Sequence, residues 1–206
     1  MLYLSGCLPS KPDVRAHLFG AGVGLMLTPV SQRTFPVGES WVWAADNACF
    51  GDRWDEAEWL RWLGQLSGAE GCLFATVPDV VGDWVATLDR WPKHYRQVTD
   101  LCYEPAFVLQ DGISVADVPW DALGAVFVGG STGWKLSEHA RIIVAEAKSR
   151  HKWVHMGRVN SFRRMELARA WGCDSVDGTY IAFGPDVNTP KLVKMLERLK
   201  NQHALF

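Results

Sequence analysis

The chain has 206 residues, 48% of them hydrophobic and 21% charged, with a formal net charge of −2. That balance excludes a disordered polyelectrolyte and predicts one globular domain over residues 1–206. No run of about 18 apolar residues is present to span a bilayer, and "MLYLSGCLPSKPD" lacks the basic start of a secretory signal, so no membrane partner is expected. Five cysteines (7, 49, 72, 102 and 173) stand far apart with no CxxC pair. They predict free thiols in a reducing cytoplasm, no metal site and no cofactor.

The first strand-like run is "GVGLML" (22–27), followed by "SWVWAAD" (40–46). "DEAEWLRWLGQL" (55–66) puts Trp59, Leu60, Leu63 and Leu66 on one helical face. "GCLFATVPD" (71–79), a helix over roughly 83–97 and "PAFVLQDG" (105–112) come next, then "GAVFVGGS" (124–131). Ser137 is placed to cap a helix over 137–150, which carries basic residues in its last turn. "KWVHMG" (152–157) is a further strand, Ser161 caps "FRRMELARAW", and Gly172 ends that helix. "CDSVDGT" (173–179) is the seventh strand-like piece, and a helix over 189–202 has a proline in its first turn.

Strand–helix units of about 25–30 residues predict a parallel sheet buried on both faces. No GxGxxG follows the early strands, so the α/β class expected is a compact (β/α)₈ TIM-like barrel, with its eighth strand unassigned. Such barrels build their sites at the C-terminal ends of the strands. Here those ends carry Asp46, Asp79, Gln110, Gly129-Gly130, Met156-Gly157 and Asp177. Several acids with no metal motif suggest chemistry in which one carboxylate attacks or stabilises and another moves protons.

The charge is uneven. Residues 1–130 hold 8 Lys and Arg against 16 Asp and Glu, whereas residues 131–206 hold 13 against 7. A basic half is compatible either with a polyanion partner or with ordinary solvated helices.

Six short motifs carry a resemblance. "ADNACF" (45–50), "VPD" (77–79), "VLQDG" (108–112), "VFVGGS" (126–131), "VHMGRV" (154–159) and "CDSVDGT" follow the order of corresponding segments in the tRNA-guanine transglycosylase superfamily. The family's zinc-binding subdomain, a Cys-x-Cys-x-x-Cys with a later His, has no counterpart, so the chain looks most like the DNA-modifying branch found in phages, deoxypurine-in-DNA protein A. The resemblance implies a pentosyltransferase that exchanges guanine in DNA, alternatively in tRNA, for a free 7-deazaguanine such as preQ0, in the host cytoplasm if phage-encoded.

By that resemblance Asp177 is the nucleophile forming a glycosyl ester, and Asp46 the general acid and base. Asp79, Gln110, Gly129 and Gly130 would read the base, and Phe50 and Met156 would sandwich it. Arg158, Arg163, Arg164 and Lys135 would bind the nucleic-acid phosphates. Asp174, which alternates away from Asp177 on an extended strand, is expected to be structural, and His155 has no assigned role. Two other readings stay open. One is a sugar-phosphate isomerase or lyase on the same barrel, with "VGGST" clamping phosphate and Asp46 and Asp177 as the acid–base pair. The other is a non-catalytic nucleic-acid or nucleobase binder.

Overall fold

Eight short parallel strands close into a barrel in strict sequence order, in a computed structural model that describes residues 1–31, 34–35, 39–51 and 54–201. The strands are β1 (Leu2–Ser5), β2 (Val23–Leu27), β3 (Trp43–Ala45), β4 (Cys72–Thr76), β5 (Pro105–Leu109), β6 (Ala125–Val128), β7 (Trp153–Met156) and β8 (Ser175–Gly178). The helices are α1 (Pro12–Ala21), α2 (Glu56–Gln65), α3 (Trp84–Asp100), α4 (Thr132–Lys135), α5 (Glu138–Ser149), α6 (Phe162–Ala170) and α7 (Pro185–Asn201). This is the compact (β/α)₈ architecture expected from the strand–helix period.

The missing eighth strand is β1. It pairs with β2 on one side and with β8 on the other, Leu4 lying against both Gly24 and Asp177, and so closes the barrel. Among the described residues no α-helix follows β2, and only two 3-10 turns follow β5, so eight strands fit in a short chain.

Helix ends are set where local chemistry demands. The side chains of Asp55, Asp83, Ser131, Ser137 and Ser161 each accept a hydrogen bond from a backbone N–H in the first turn that follows. The last helix begins four residues earlier than residue 189, just after Gly184 at φ +112°, and Pro190 therefore lies inside it. Residue 202, the last of that predicted helix, lies outside the described residues.

Two apolar clusters follow from the period-2 alternation of the strands. The larger fills the space between barrel and helices and includes Leu25, Phe107, Val126, Val128, Val154, Met156 and Val176. The smaller consists of strand residues alone, Leu4, Met26, Ala44, Phe74, Ala106 and Ala125, with Phe127 and Trp153 against them, and plugs the lower barrel interior. Continuing that inward phase up each strand leads to Asp46, Thr76, Val108 and Gln110, Phe127 and Gly129, and Asp177. Sequence phase alone thus gathers a polar layer on top of an apolar plug.

Candidate active site

The inward-phase residues line a cavity of about 260 Å³ at the C-terminal ends of the strands, where Asn47, Phe50, Asp79, Val81, Gly130, Arg158 and Thr179 join them from the loops. A larger groove of about 670 Å³ lies outside the barrel between α1 and α7. Size does not select it, because sites of this fold are built at the C-terminal ends of the strands, where Asp46, Asp79 and Asp177 share the smaller cavity.

Asp46 ends β3 and its carboxylate accepts from the Ala48 N–H at 3.3 Å. Burial pushes its pKa up to about 7, and the Asp177 charge adds to the rise. Its proton therefore sits near balance at neutrality, as an acid–base group requires.

Asp177 sits in different surroundings. Its Oδ1 accepts from the Arg158 N–H at 3.0 Å and lies 3.0 Å from His155 Nε2. Oδ2 has no protein partner among the described hydrogen bonds, and the residue lines the cavity. Arg158 can present its N–H there because it adopts φ +59°, a left-handed conformation uncommon outside glycine. Gly157, on the inward phase of β7, keeps the space open, since a Cβ there would lie 2.5 Å from the Phe127 ring.

Asp79 and Gln110 are brought together, but toward each other. Gln110 Nε2 donates to Asp79 Oδ2 at 2.6 Å, Asn47 Nδ2 donates to Oδ1 at 2.9 Å, and Gln110 Oε1 accepts from the Gly82 N–H at 3.0 Å. Burial raises the Asp79 pKa, and the Asn47 bond opposes the rise. This closed set of bonds braces the β4 and β5 loops and leaves Asp46 and Asp177 as the other carboxylates that line the cavity.

Gly129, Gly130 and Phe50 also line the cavity, Phe50 at its exposed lip with the Arg158 guanidinium 4.5 Å from its ring. Arg158 also donates to the Gly130 carbonyl. Met156 does not face the cavity. It points outward into the helix-packed cluster, so no Phe50–Met156 sandwich forms. Lys135 is not on the rim: it is buried, and its Nζ donates to the Gly157 carbonyl at 2.7 Å. Burial lowers its pKa to about 8, the Arg158 charge adding to the fall. Arg163 and Arg164 lie on α6 outside the cavity lining, Arg163 exposed and Arg164 half-buried. In "VGGST", Ser131 gives its N–H and hydroxyl to Asp111, both at 2.5 Å, so that loop offers an anion less than its sequence suggests. Asp174 is tied to Lys148 at 2.6 Å and accepts from the Val154 N–H, away from the cavity.

The sequence passed over Asn47, Thr76 and His155. Two of them would have been visible from the strand phase: Thr76 follows Phe74 by two, and His155 follows Trp153 by two, whereas Asn47 is in the loop after β3, off the inward phase.

No protein-family model matches the chain, and no curated protein matches it. Solved structures do. One described as "Native KDPGal structure" superposes with TM-score 0.60 at 12% identity, over 100% of this chain and 95% of that one. A structure of the tryptophan synthase a2b2 complex from the hyperthermophile Pyrococcus furiosus gives TM-score 0.61 at 13% identity, over 97% and 96%. The likeness shows a shared barrel. It also corrects the functional expectation. These two structures, each matching nearly the whole chain, carry other names than that of a transglycosylase, and the six short motifs bring no family model with them. The reading as a DNA-guanine transglycosylase, and as a pentosyltransferase, is therefore withdrawn. The motifs misled because small and acidic residues after barrel strands recur wherever such a mouth is built.

Proposed function

We propose that this chain is a sugar-phosphate lyase or isomerase working by acid–base catalysis between Asp46 and Asp177. The observation that carries the reading is the unlike environment of these two carboxyl groups on one small cavity. Burial pushes Asp46 up to about 7, while Asp177 accepts at Oδ1 from the Arg158 N–H and lies beside His155. Whole-chain likeness to the structure described by the term KDPGal and to the tryptophan synthase complex is compatible with it at the level of fold.

In a lyase step, Asp177 Oδ2 takes the proton from a substrate hydroxyl. The C–O bond becomes a carbonyl, the adjacent C–C bond breaks, and the carbanion carbon collects the proton of Asp46. In an isomerase step, Asp177 removes a C–H proton next to a carbonyl while Asp46 protonates the carbonyl oxygen. Both schemes need a carboxyl that can hold a proton near pH 7, which the burial of Asp46 supplies. Arg158 supplies the cation for the substrate's phosphate, and Phe50, Val81, Val108 and Phe127 give the carbon chain an apolar wall. Five unpaired cysteines fit a cytoplasmic setting. Among the described residues no helix is long and apolar enough to cross a membrane.

The test is turnover of a panel of aldose and ketose monophosphates, triose to heptose, followed by phosphorus NMR. The reading predicts conversion of at least one member, reduced about 100-fold or more in Asp46→Asn and Asp177→Asn. Arg158→Ala should raise KM. Conversion that survives both carboxylate substitutions, or a panel returned unchanged, would contradict it.

A further inference from the structure

The residues beneath Asp177 form a chain of hydrogen bonds that runs down the barrel interior. Trp153 Nε1 meets Ser175 Oγ at 2.9 Å, Ser175 Oγ meets His155 Nδ1 at 2.8 Å, and His155 Nε2 meets Asp177 Oδ1 at 3.0 Å. The four side chains share one phase of the adjacent strands β7 and β8, where His155 and Ser175 are registered as partners. His155 is fully buried and clamped between aromatic rings, Phe127 at 4.5 Å and Phe74 at 5.3 Å between centroids.

Directionality follows from the chemistry of the ends. An indole N–H only donates, so Trp153 must give its proton to Ser175 Oγ. The Ser175 hydroxyl proton is then free to point at His155 Nδ1, which accepts it. A neutral imidazole carries one N–H, and it falls on Nε2, aimed at Asp177 Oδ1. Each member hands the next a defined role, and the Phe74 and Phe127 rings pack against the buried imidazole.

We propose that His155 is a positioning residue for Asp177, held as the Nε2–H tautomer by Ser175 and Trp153. With the Arg158 N–H it occupies Oδ1, which leaves Oδ2 as the oxygen without a protein partner among the described hydrogen bonds. The assignment of the tautomer rests on geometry, whereas its value for turnover rests on the proposed role of Asp177 as base. A backbone N–H and a buried imidazole fix the carboxylate plane more tightly than solvent would, and a fixed plane is what a proton-abstracting oxygen needs.

The test separates those two layers. Long-range proton–nitrogen NMR of the whole protein at neutral pH, with no substrate present, reads the tautomer of His155 directly. The expected spectrum shows a protonated Nε2 and a bare Nδ1. Ser175→Ala and Trp153→Phe, checked for folding by thermal unfolding, should each shift His155 toward a mixture of tautomers. A wild-type ring protonated at Nδ1 or at both nitrogens overturns the proposal, as does an Nε2–H signature unchanged in Ser175→Ala. If the sugar-phosphate panel yields a substrate, His155→Phe should lower kcat about tenfold or more with KM nearly unchanged. His155→Gln, which can still donate to Asp177, should restore part of that loss. Equal kcat in wild type and His155→Phe would overturn the positioning role while leaving the lyase or isomerase reading intact. A panel without turnover leaves the spectral test standing by itself.

Discussion

Asp46 is the residue whose environment most constrains the account, and it makes stability depend on pH in a defined direction. Its folded pKa of about 7 lies above the ordinary 3.8, so between those values the folded chain holds a proton that the unfolded chain has released. The contribution is full below about pH 4 and is lost as pH rises toward about 7, amounting to about 2–4 kcal/mol. Asparagine does not titrate. The melting temperature of Asp46→Asn relative to wild type should therefore climb between pH 4 and pH 8, measured by calorimetry at both ends.

Asp79 illustrates the opposite design, a carboxylate consumed by structure. Asp79→Ala would strand the Asn47 and Gln110 amides, both buried, and should destabilise the fold by about 3 kcal/mol in urea unfolding.

At this scale the strand ends announced Asp46, Asp79, Gln110, the Gly129-Gly130 pair and Asp177, because an acid or glycine after a β-rich run is conspicuous. The phase of β7 was not announced. Reading Met156 instead of His155 as the inward residue is an error of one position, which on a period-2 strand exchanges cavity for outer core.

The elements themselves were legible in proportion to their amphipathic contrast. In α2, Trp59, Trp62 and Leu63 are buried on one face, and in α5 Ala140, Ile143, Val144 and Ala147 are, so spacing found both helices. In α1 only Leu18 and Ala21 are buried, and its sequence "PDVRAHLFGA" has no stripe to detect. β1 is only four residues long. Its assignment depends on β2 and β8, one of them more than 170 positions away in sequence, and local pattern carries no such information.

A related element-scale feature is Pro92 in the middle of α3, on its exposed face. It removes one helical hydrogen bond and crowds the preceding turn. Pro92→Ala should raise stability by about 1–3 kcal/mol, visible as a higher denaturant midpoint with unchanged slope.

Across the whole molecule, barrel closure explains why the uneven charge of the sequence does not divide the protein. The acidic first part supplies Asp46 and Asp79, the basic second part supplies Arg158 and Asp177, and the ring of strands places all four on one cavity. The barrel class could be read from the alternation of strands and helices. The chemistry could not be read from short motifs, because many reactions use the same loop ends of this fold. What distinguishes this site is the pairing of a carboxyl whose proton is near balance with a carboxylate braced from beneath. The most direct measurement is a carbon NMR titration of the Asp46 side chain in wild type and in Asp177→Asn. A midpoint near 7 that falls when the Asp177 charge is removed is the predicted result. A midpoint near 3.8 in both proteins would contradict the acid–base pair on which the proposed function stands.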